Sequence, residues 1–342
     1  MKSKTMMILS GDIGGTSTRM QLTEFDRDEQ MHLLKSIHYS NQNFASFSDI
    51  IDTFLKETAI QKKQISSICF GVAGPIINGN VQFTNLLWAI NSDDLKTQFD
   101  LQHVSLINDF EAIGYGIETL TKNDIETLQE AEPREKGLKT FVGAGTGLGV
   151  GFMTFFDDSC RVHPTEGGHI DFAPTDDIQV ELLNYLRKKY HRVSFERLLS
   201  GPGLVNIYRF VRDNKIFEEE ENAELRFLLE SEQEIDIAAT ISEYAIKHKD
   251  ILAIRALDIF IRIYGSFVGD LALSMFPYGG IYIVGGIAPK LLPQIQQGGF
   301  MERYLDKGRV SGVLKNFPIY VVTNTKVGLQ GAAIYAHKNL EF

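Results

Sequence analysis

Two glycine segments of this chain are placed to handle phosphate. The first, Gly11-Asp12-Ile13-Gly14-Gly15-Thr16, lies between two strand-like runs at 6–9 and 19–25. Aspartate followed by paired glycines between such runs is a hairpin signal. Glycines at the tip let backbone amides approach a phosphate, and the Thr16 hydroxyl can donate to it. Asp12 is placed to hold a water of a magnesium ion, which keeps several waters and takes few protein ligands. The same residues are favoured in an ordinary turn, for backbone reasons alone. In the second segment Gly143, Gly145, Gly147, Gly149 and Gly151 all fall on odd positions, with Thr146 among them. Along an extended chain, period two leaves one face bare of side chains, and a bare face ending in a turn gives a polyphosphate access to backbone amides. Neither a G-x-G-x-x-G fingerprint nor a lysine after the glycines can be read here, so the Rossmann and P-loop spacings both fail.

Three further groups could carry proton transfer or bind polar ligands. Asn108-Asp109 stands at the end of a buried apolar run, where a helix begins. Either residue would cap that helix. The same place, the carboxyl end of a strand, is where ligands collect in open α/β sheets, and a carboxylate there could take the proton of an attacking sugar hydroxyl. Glu166-Gly167-Gly168-His169, followed by Asp171, places two hydrogen-bonding side chains around a double glycine. Such a pair suits sugar hydroxyls; Glu and His also bind zinc, but Cys69 and Cys160 form no cluster with them. Glu196, before Leu198-Leu199-Ser200-Gly201-Pro202-Gly203, reads locally as a surface residue.

The elements that must position these groups follow from periodicity. Phe47, Ile50, Ile51, Phe54 and Leu55 recur at helical spacing. Buried strands are expected at 65–72, ending at Ala73-Gly74-Pro75, and at 104–107. The opening theme then returns as a strand at 140–142, the glycine turn, and a strand at 150–156, followed by helices at 178–190, 203–211 and 251–275, a strand at 281–284 ending in Gly285-Gly286, and a closing helix at 329–338. The order predicts an α/β protein with mixed sheets and helices packed on them. Two strand–turn–strand units suggest a duplicated fold. The segment 215–231, with its run of glutamates at 218–221, reads as a solvated excursion without an assigned function.

A chain of 342 residues suits two lobes better than one core. Its formal charge of -10 argues against broad binding to nucleic acid or an anionic membrane, both of which need basic surface. Phosphate can still be held by backbone amides. No stretch reaches the roughly 20 apolar residues of a membrane span, the first apolar run is too short for a signal peptide, and the two cysteines show no metal or redox spacing. A cytoplasmic protein with reduced thiols is expected.

GDIGGT, INDFEA, GAGTGLG, EGGHIDFAP, ERLLSGPGLVN and VGGIAP together make the chain resemble the bacterial glucokinases, from about residue 10 to residue 331. The resemblance implies a two-lobed actin-like ATPase (ribonuclease H-like) fold, with 1–119 and 323–342 as a small lobe, 120–322 as a large one, and the active site in the cleft between them. It implies ATP- and Mg2+-dependent phosphorylation of glucose at its 6-hydroxyl, the entry step of glycolysis. Asp109 corresponds to the catalytic base, and Asn108, Asp109, Glu166, His169 and Glu196 to the glucose ligands. Gly11, Asp12, Gly14, Gly15, Thr16, Gly143, Gly145, Thr146 and Gly147 correspond to the phosphate loops, with Asp12 holding Mg2+ through water. Gly285 and Gly286 lie where the family approaches adenosine, and a homodimer is usual. The related repressor branch carries a cysteine-rich zinc motif that this sequence lacks. A kinase for fructose or mannose, and an inactive sugar-sensing regulator, are the alternatives; Asp12, Asp109 and both phosphate loops together favour the enzyme.

Overall fold

A computed structural model of the chain describes residues 5–74, 76–82, 88–157, 159–214, 221–230 and 235–340. Pro75, part of the expected strand stop, lies outside them. The chain forms two compact units, Met1–Asp124 with Asn324–Phe342, and Ile125–Thr323. The limits implied by the resemblance were 119/120 and 322/323. Residues up to Asp124 stay with the first unit, where Thr121 N donates to Asp124 Oδ2 at 2.9 Å and closes a turn.

The first unit is built on strands β1 (Met6–Ile13), β2 (Ser17–Phe25), β3 (Met31–Ser40) and β4 (Ser67–Val72). A small sheet of β5 (Ile76–Ile77), β6 (Asn80–Gln82) and β7 (Ala89–Asn91) follows, and β8 (Val104–Asn108) completes the main sheet in the order β3-β2-β1-β4-β8. The β1–β2 and β2–β3 pairs are antiparallel, whereas β1, β4 and β8 run parallel. Alternation along β1 and β4 sends Leu9, Ile13 and Phe70 to one face and Ile8 and Cys69 to the other. The first face is covered by helix α1 (Phe47–Thr58), which buries Ile50, Ile51 and Phe54. Its start is fixed by a reciprocal cap: Asp49 N donates to Ser46 Oγ at 3.2 Å and Ser46 N donates to Asp49 Oδ2 at 2.9 Å. Helices α2 (Ser92–Phe99) and α3 (Asp109–Ile117) follow.

The second face is covered by the closing helix Val327–Lys338, through Ala332, Ala333 and Ala336. That helix also lies against α3, close enough that a Cβ on Gly331 would stand 1.8 Å from the Ala112 carbonyl oxygen. Gly331→Ala must therefore part the two helices. It is expected to cost about 3 kcal/mol, read as a lower denaturation midpoint; an unchanged midpoint would show that the contact yields freely.

The second unit repeats the plan. Strands β9 (Ile125–Gln129), β10 (Lys139–Ala144), β11 (Leu148–Phe156), β12 (Ser159–Thr165), β13 (Gly280–Val284) and β14 (Ile319–Val322) form a sheet in the order β12-β11-β10-β13-β14-β9. As in the first unit, an antiparallel meander (β10 to β12) is extended by parallel strands beside its first member. The expected duplication is thus visible in topology. Helices α4 (Asp177–Tyr190), α5 (Gly201–Asn214), α6 (Ala223–Glu230), α7 (Ile237–Glu243), α8 (Ile251–Met275), α9 (Ile287–Lys290), α10 (Leu292–Ile295), α11 (Gly299–Leu305) and α12 (Ser311–Leu314) belong to the unit.

Two sequence readings are corrected. The polar strand β3 was not expected, because most of its residues are exposed and leave no apolar alternation. The segment 215–231 is not wholly a solvated excursion: α6 buries Leu225, and Glu221 accepts from the Tyr208 hydroxyl at 3.4 Å and stands 3.6 Å from Arg212. Residues 215–220 and 231 lie outside the described residues.

Candidate active site

The parallel strands of the first unit finish level, with Ile13 beside Val72 and Val72 beside Asn108. Asp12 and Asp109 therefore flank the carboxyl ends of strands in one sheet, the position where open α/β sheets bind ligands. Strand β1 runs on to Ile13, so the first glycine segment turns only at Gly14, Gly15 and Thr16. Gly14 N donates to Ser17 O at 3.0 Å to close the turn. Asn41, a buried residue that sequence reading passed over, braces it: Nδ2 donates to Gly14 O at 2.9 Å, and Oδ1 accepts from Thr18 Oγ1 at 2.8 Å.

Asp12 sits opposite Arg19 in the β1–β2 register. Burial pushes the Asp12 carboxyl up from the usual carboxylate range, and the Arg19 guanidinium pulls the other way. A carboxylate held in this way fits a nearby divalent cation, whose charge would favour ionisation. Because the raised value marks a charged form that costs stability, Asp12→Asn is expected to raise the thermal midpoint. If Asp12 holds Mg2+ as the resemblance implies, the variant would also lower kcat by roughly tenfold or more. A variant with a lower midpoint and unchanged kcat would contradict both halves.

Helix α3 starts directly from β8, and its N-cap is Asn108, whose Oδ1 accepts from Phe110 N at 2.9 Å and Glu111 N at 3.4 Å. Asp109 is thus the first helical residue, with Oδ1 also accepting from Phe110 N at 2.9 Å. Gly71 makes room for it: a Cβ there would stand 3.1 Å from Ala112 Cβ and 3.8 Å from Asp109 Cα.

In the second unit the odd-numbered glycines pair across the β10–β11 hairpin, Gly143 with Gly149, and the turn comes at Gly145-Thr146-Gly147. Gly145 N donates to Gly147 O at 2.8 Å, and Gly201 N, from the start of α5, donates to Gly145 O at 2.8 Å. The end of β13 meets the same place. Gly285 has φ +86°, and a Cβ there would lie 2.8 Å from Ala144 O, so only glycine fits. A cavity of about 870 Å³ opens beside these residues, lined by Gly145, Thr146, Gly201 and Gly286 together with Lys189 and Arg209.

The Glu166 turn packs on the first residue of β11; a Cβ on Gly168 would stand 1.9 Å from Leu148 O. This brings three expected residues together. His169 Nε2 lies 3.6 Å from Glu166 Oε2, and its Nδ1 lies 3.8 Å from Glu196 Oε1. Glu166 is the most exposed of the three, with its side chain 90% open, against 28% for Glu196. The second Glu196 oxygen, Oε2, accepts from Leu148 N at 3.0 Å, so this side chain touches both the histidine and the glycine hairpin. Asp171 is taken up by Arg192, whose Nε lies 2.7 Å from it.

The glucokinase family model matches residues 9–339. The chain belongs to the glucokinase family. It is 41% identical to the glucokinase of Nostoc punctiforme, over 96% of this chain and 98% of that one. The crystal structure of a glucokinase from an Antarctic psychrotroph matches with a TM-score of 0.83 at 30% identity, covering 97% of this chain and 99% of that one. A ROK family glucokinase from Streptomyces griseus, solved with glucose and AMPPNP, matches at TM-score 0.61 and 21% identity, over 97% of this chain and 99% of that one, which is a likeness of fold. The doubled sheet is the actin-like ATPase fold of the glucokinases and ROK sugar kinases. Against this glucokinase frame, sequence reading missed Asn41, Arg19 and the cavity residues Lys189 and Arg209. None has a local signature, since each is defined by what lies across the sheet or on a neighbouring helix.

Proposed function

We propose that this chain is an ATP-dependent glucose kinase, transferring the γ-phosphate of ATP to the 6-hydroxyl of D-glucose to give glucose 6-phosphate and ADP. Membership of the glucokinase family over residues 9–339 is the observation that carries the reading. The geometry of each unit supports it. In the first, Asp109 takes the proton of the attacking hydroxyl, while the turn at Gly14, Gly15 and Thr16 meets phosphate. Because the Asn108 carboxamide oxygen is committed to the helix cap, contact with the sugar falls to its Nδ2. In the second, Glu166, His169 and Glu196 take up sugar hydroxyls, and the hairpin at Gly145, Thr146 and Gly147 supplies backbone amides to the phosphates. The cavity beside that hairpin, lined by Gly286 next to Gly285, receives the adenosine, with Lys189 and Arg209 among its lining. Mg2+ would neutralise charge on the phosphates when bound, and Asp12 is the residue that would hold it through water.

The family resemblance extends the proposal to a cytoplasmic homodimer. Among the described residues no helix is long and apolar enough to cross a membrane. A panel of glucose, mannose and fructose with ATP, followed by coupled detection of ADP, tests the activity and its selectivity. Glucose is expected to give the highest kcat/KM, with turnover lost on chelating Mg2+. A folded protein that releases no ADP with any of the three would favour the sugar-sensing regulator, and a clear preference for another hexose would move the substrate.

A further inference from the structure

Asn41 does more than fill space beside the first glycine turn. It follows β3 directly, so the β2–β3 register, with Ser40 opposite Ser17, delivers it to the turn. The residue is 1% exposed and commits three groups to its neighbours there. Asn41 N donates to Thr16 O at 2.9 Å, Nδ2 donates to Gly14 O at 2.9 Å, and Oδ1 accepts from Thr18 Oγ1 at 2.8 Å. The carboxamide can be turned only one way. Gly14 O is an acceptor and needs the NH2 end, which leaves Oδ1 to the Thr18 hydroxyl. Two carbonyls of the turn are thus drawn to one residue. In a trans peptide the C=O and the following N–H point to opposite sides, so the N–H groups of Gly15 and Ser17 face away from Asn41. Gly15 N–H has no hydrogen-bond partner among the described residues. Gly15 has no left-handed φ, and a Cβ on it would meet nothing within 4 Å. Neither backbone strain nor packing calls for glycine at 15; room for a ligand at the amide does.

We infer that Asn41 is a positioning residue for phosphate binding: by holding the Gly14 and Thr16 carbonyls it turns the free amide of Gly15 toward the phosphates of the nucleotide. It touches no ligand itself. The inference rests on reading this turn as a phosphate loop. From Gly11 to Thr18 there is no lysine or arginine, so the segment meets an anion with backbone dipoles and hydroxyls alone. The direction of those dipoles then decides whether the turn attracts or repels phosphate. A turn rotated to send Gly14 O outward would present a carbonyl oxygen to the ligand in place of an N–H.

Asn41→Asp separates this role from packing. Aspartate keeps the size and the acceptor for Thr18 Oγ1, but it sets an oxygen against Gly14 O where a donor stood. The variant is expected to weaken ATP binding and raise KM for ATP by roughly tenfold, with KM for glucose unchanged. Thr18→Val removes the hydroxyl that orients the carboxamide and adds no charge; it should raise KM for ATP by a smaller factor, again with KM for glucose unchanged. NMR of the isotope-labelled full chain, titrated with ATP and Mg2+ without sugar, reads the amide directly. The Gly15 N–H resonance is expected to move on binding in the wild type and to move less in either variant. ATP binding and KM for ATP unchanged in folded Asn41→Asp, or in Thr18→Val should the first variant not fold, overturn the inference. So does an equal rise in both KM values, which would mark Asn41 as a structural residue only. ATP that binds the wild type and leaves Gly15 N–H unmoved removes phosphate from this turn, and the inference falls while phosphorylation of glucose can persist. Conversely, ATP binding that depends on Asn41 as expected, with no glucose 6-phosphate formed by the wild type, overturns the kinase reading and leaves the positioning role standing.

Discussion

Asp109→Asn is expected to lower kcat by roughly 10²–10⁴-fold while the protein stays folded and still binds ATP. Phosphoryl transfer asks the protein mainly to position groups and stabilise charge, with one carboxylate taking the proton of the attacking hydroxyl. Asparagine keeps the size and the oxygen that Phe110 N donates to, but it cannot take that proton. The competing explanation, that Asp109 serves only to start the helix, is weakened by Asn108, which fills the N-cap with its own side chain. The substitution leaves that cap in place, so any loss of stability should be small. Near-normal turnover by a folded Asp109→Asn protein would move the base to another residue.

Glu196→Ala is expected to raise KM for glucose and KM for ATP together and to reduce kcat/KM by about 10²-fold. Glu196 stands at the junction of two expected functions. One carboxylate oxygen approaches His169 at 3.8 Å, and the other accepts from Leu148 N at 3.0 Å, where the glycine hairpin passes into β11. On the proposed function, truncation would remove a sugar contact, and it releases the backbone that follows the glycine turn. A residue that only touched sugar would leave KM for ATP unchanged, and that result would confine Glu196 to the sugar side. Glu196→Gln, which can still accept from Leu148 N, should restore much of the ATP affinity while recovering less of the glucose affinity. Circular dichroism on each variant separates these effects from loss of fold.

The parts of this protein that were legible in its sequence are those whose cause is local. Period-two glycines mark the β10–β11 hairpin because they leave one face of an extended chain bare, and Ile50, Ile51 and Phe54 mark α1 because one face must be buried. Strand β3 left no such trace: it pairs with β2 through backbone bonds and exposes most of its side chains. Asn108 and Asp109 could be placed at a strand end, but which of them caps the helix depends on backbone angles that no pattern encodes. Glu196 read as a surface residue because its partners, Leu148 and His169, are distant in the chain. For the same reason Asn41 and the cavity residues Lys189 and Arg209 were invisible, since they meet the glycine turns only once the sheets and helices are assembled.

The central claim is the transfer of phosphate to a specific carbon of glucose, and phosphorus and carbon NMR of the product tests it most directly. Glucose incubated with ATP, Mg2+ and the purified chain is predicted to give one phosphate monoester, coupled to carbon 6, with one ADP formed for each ester. An ester at the anomeric carbon, or ADP accompanied by inorganic phosphate and unchanged glucose, would contradict the account.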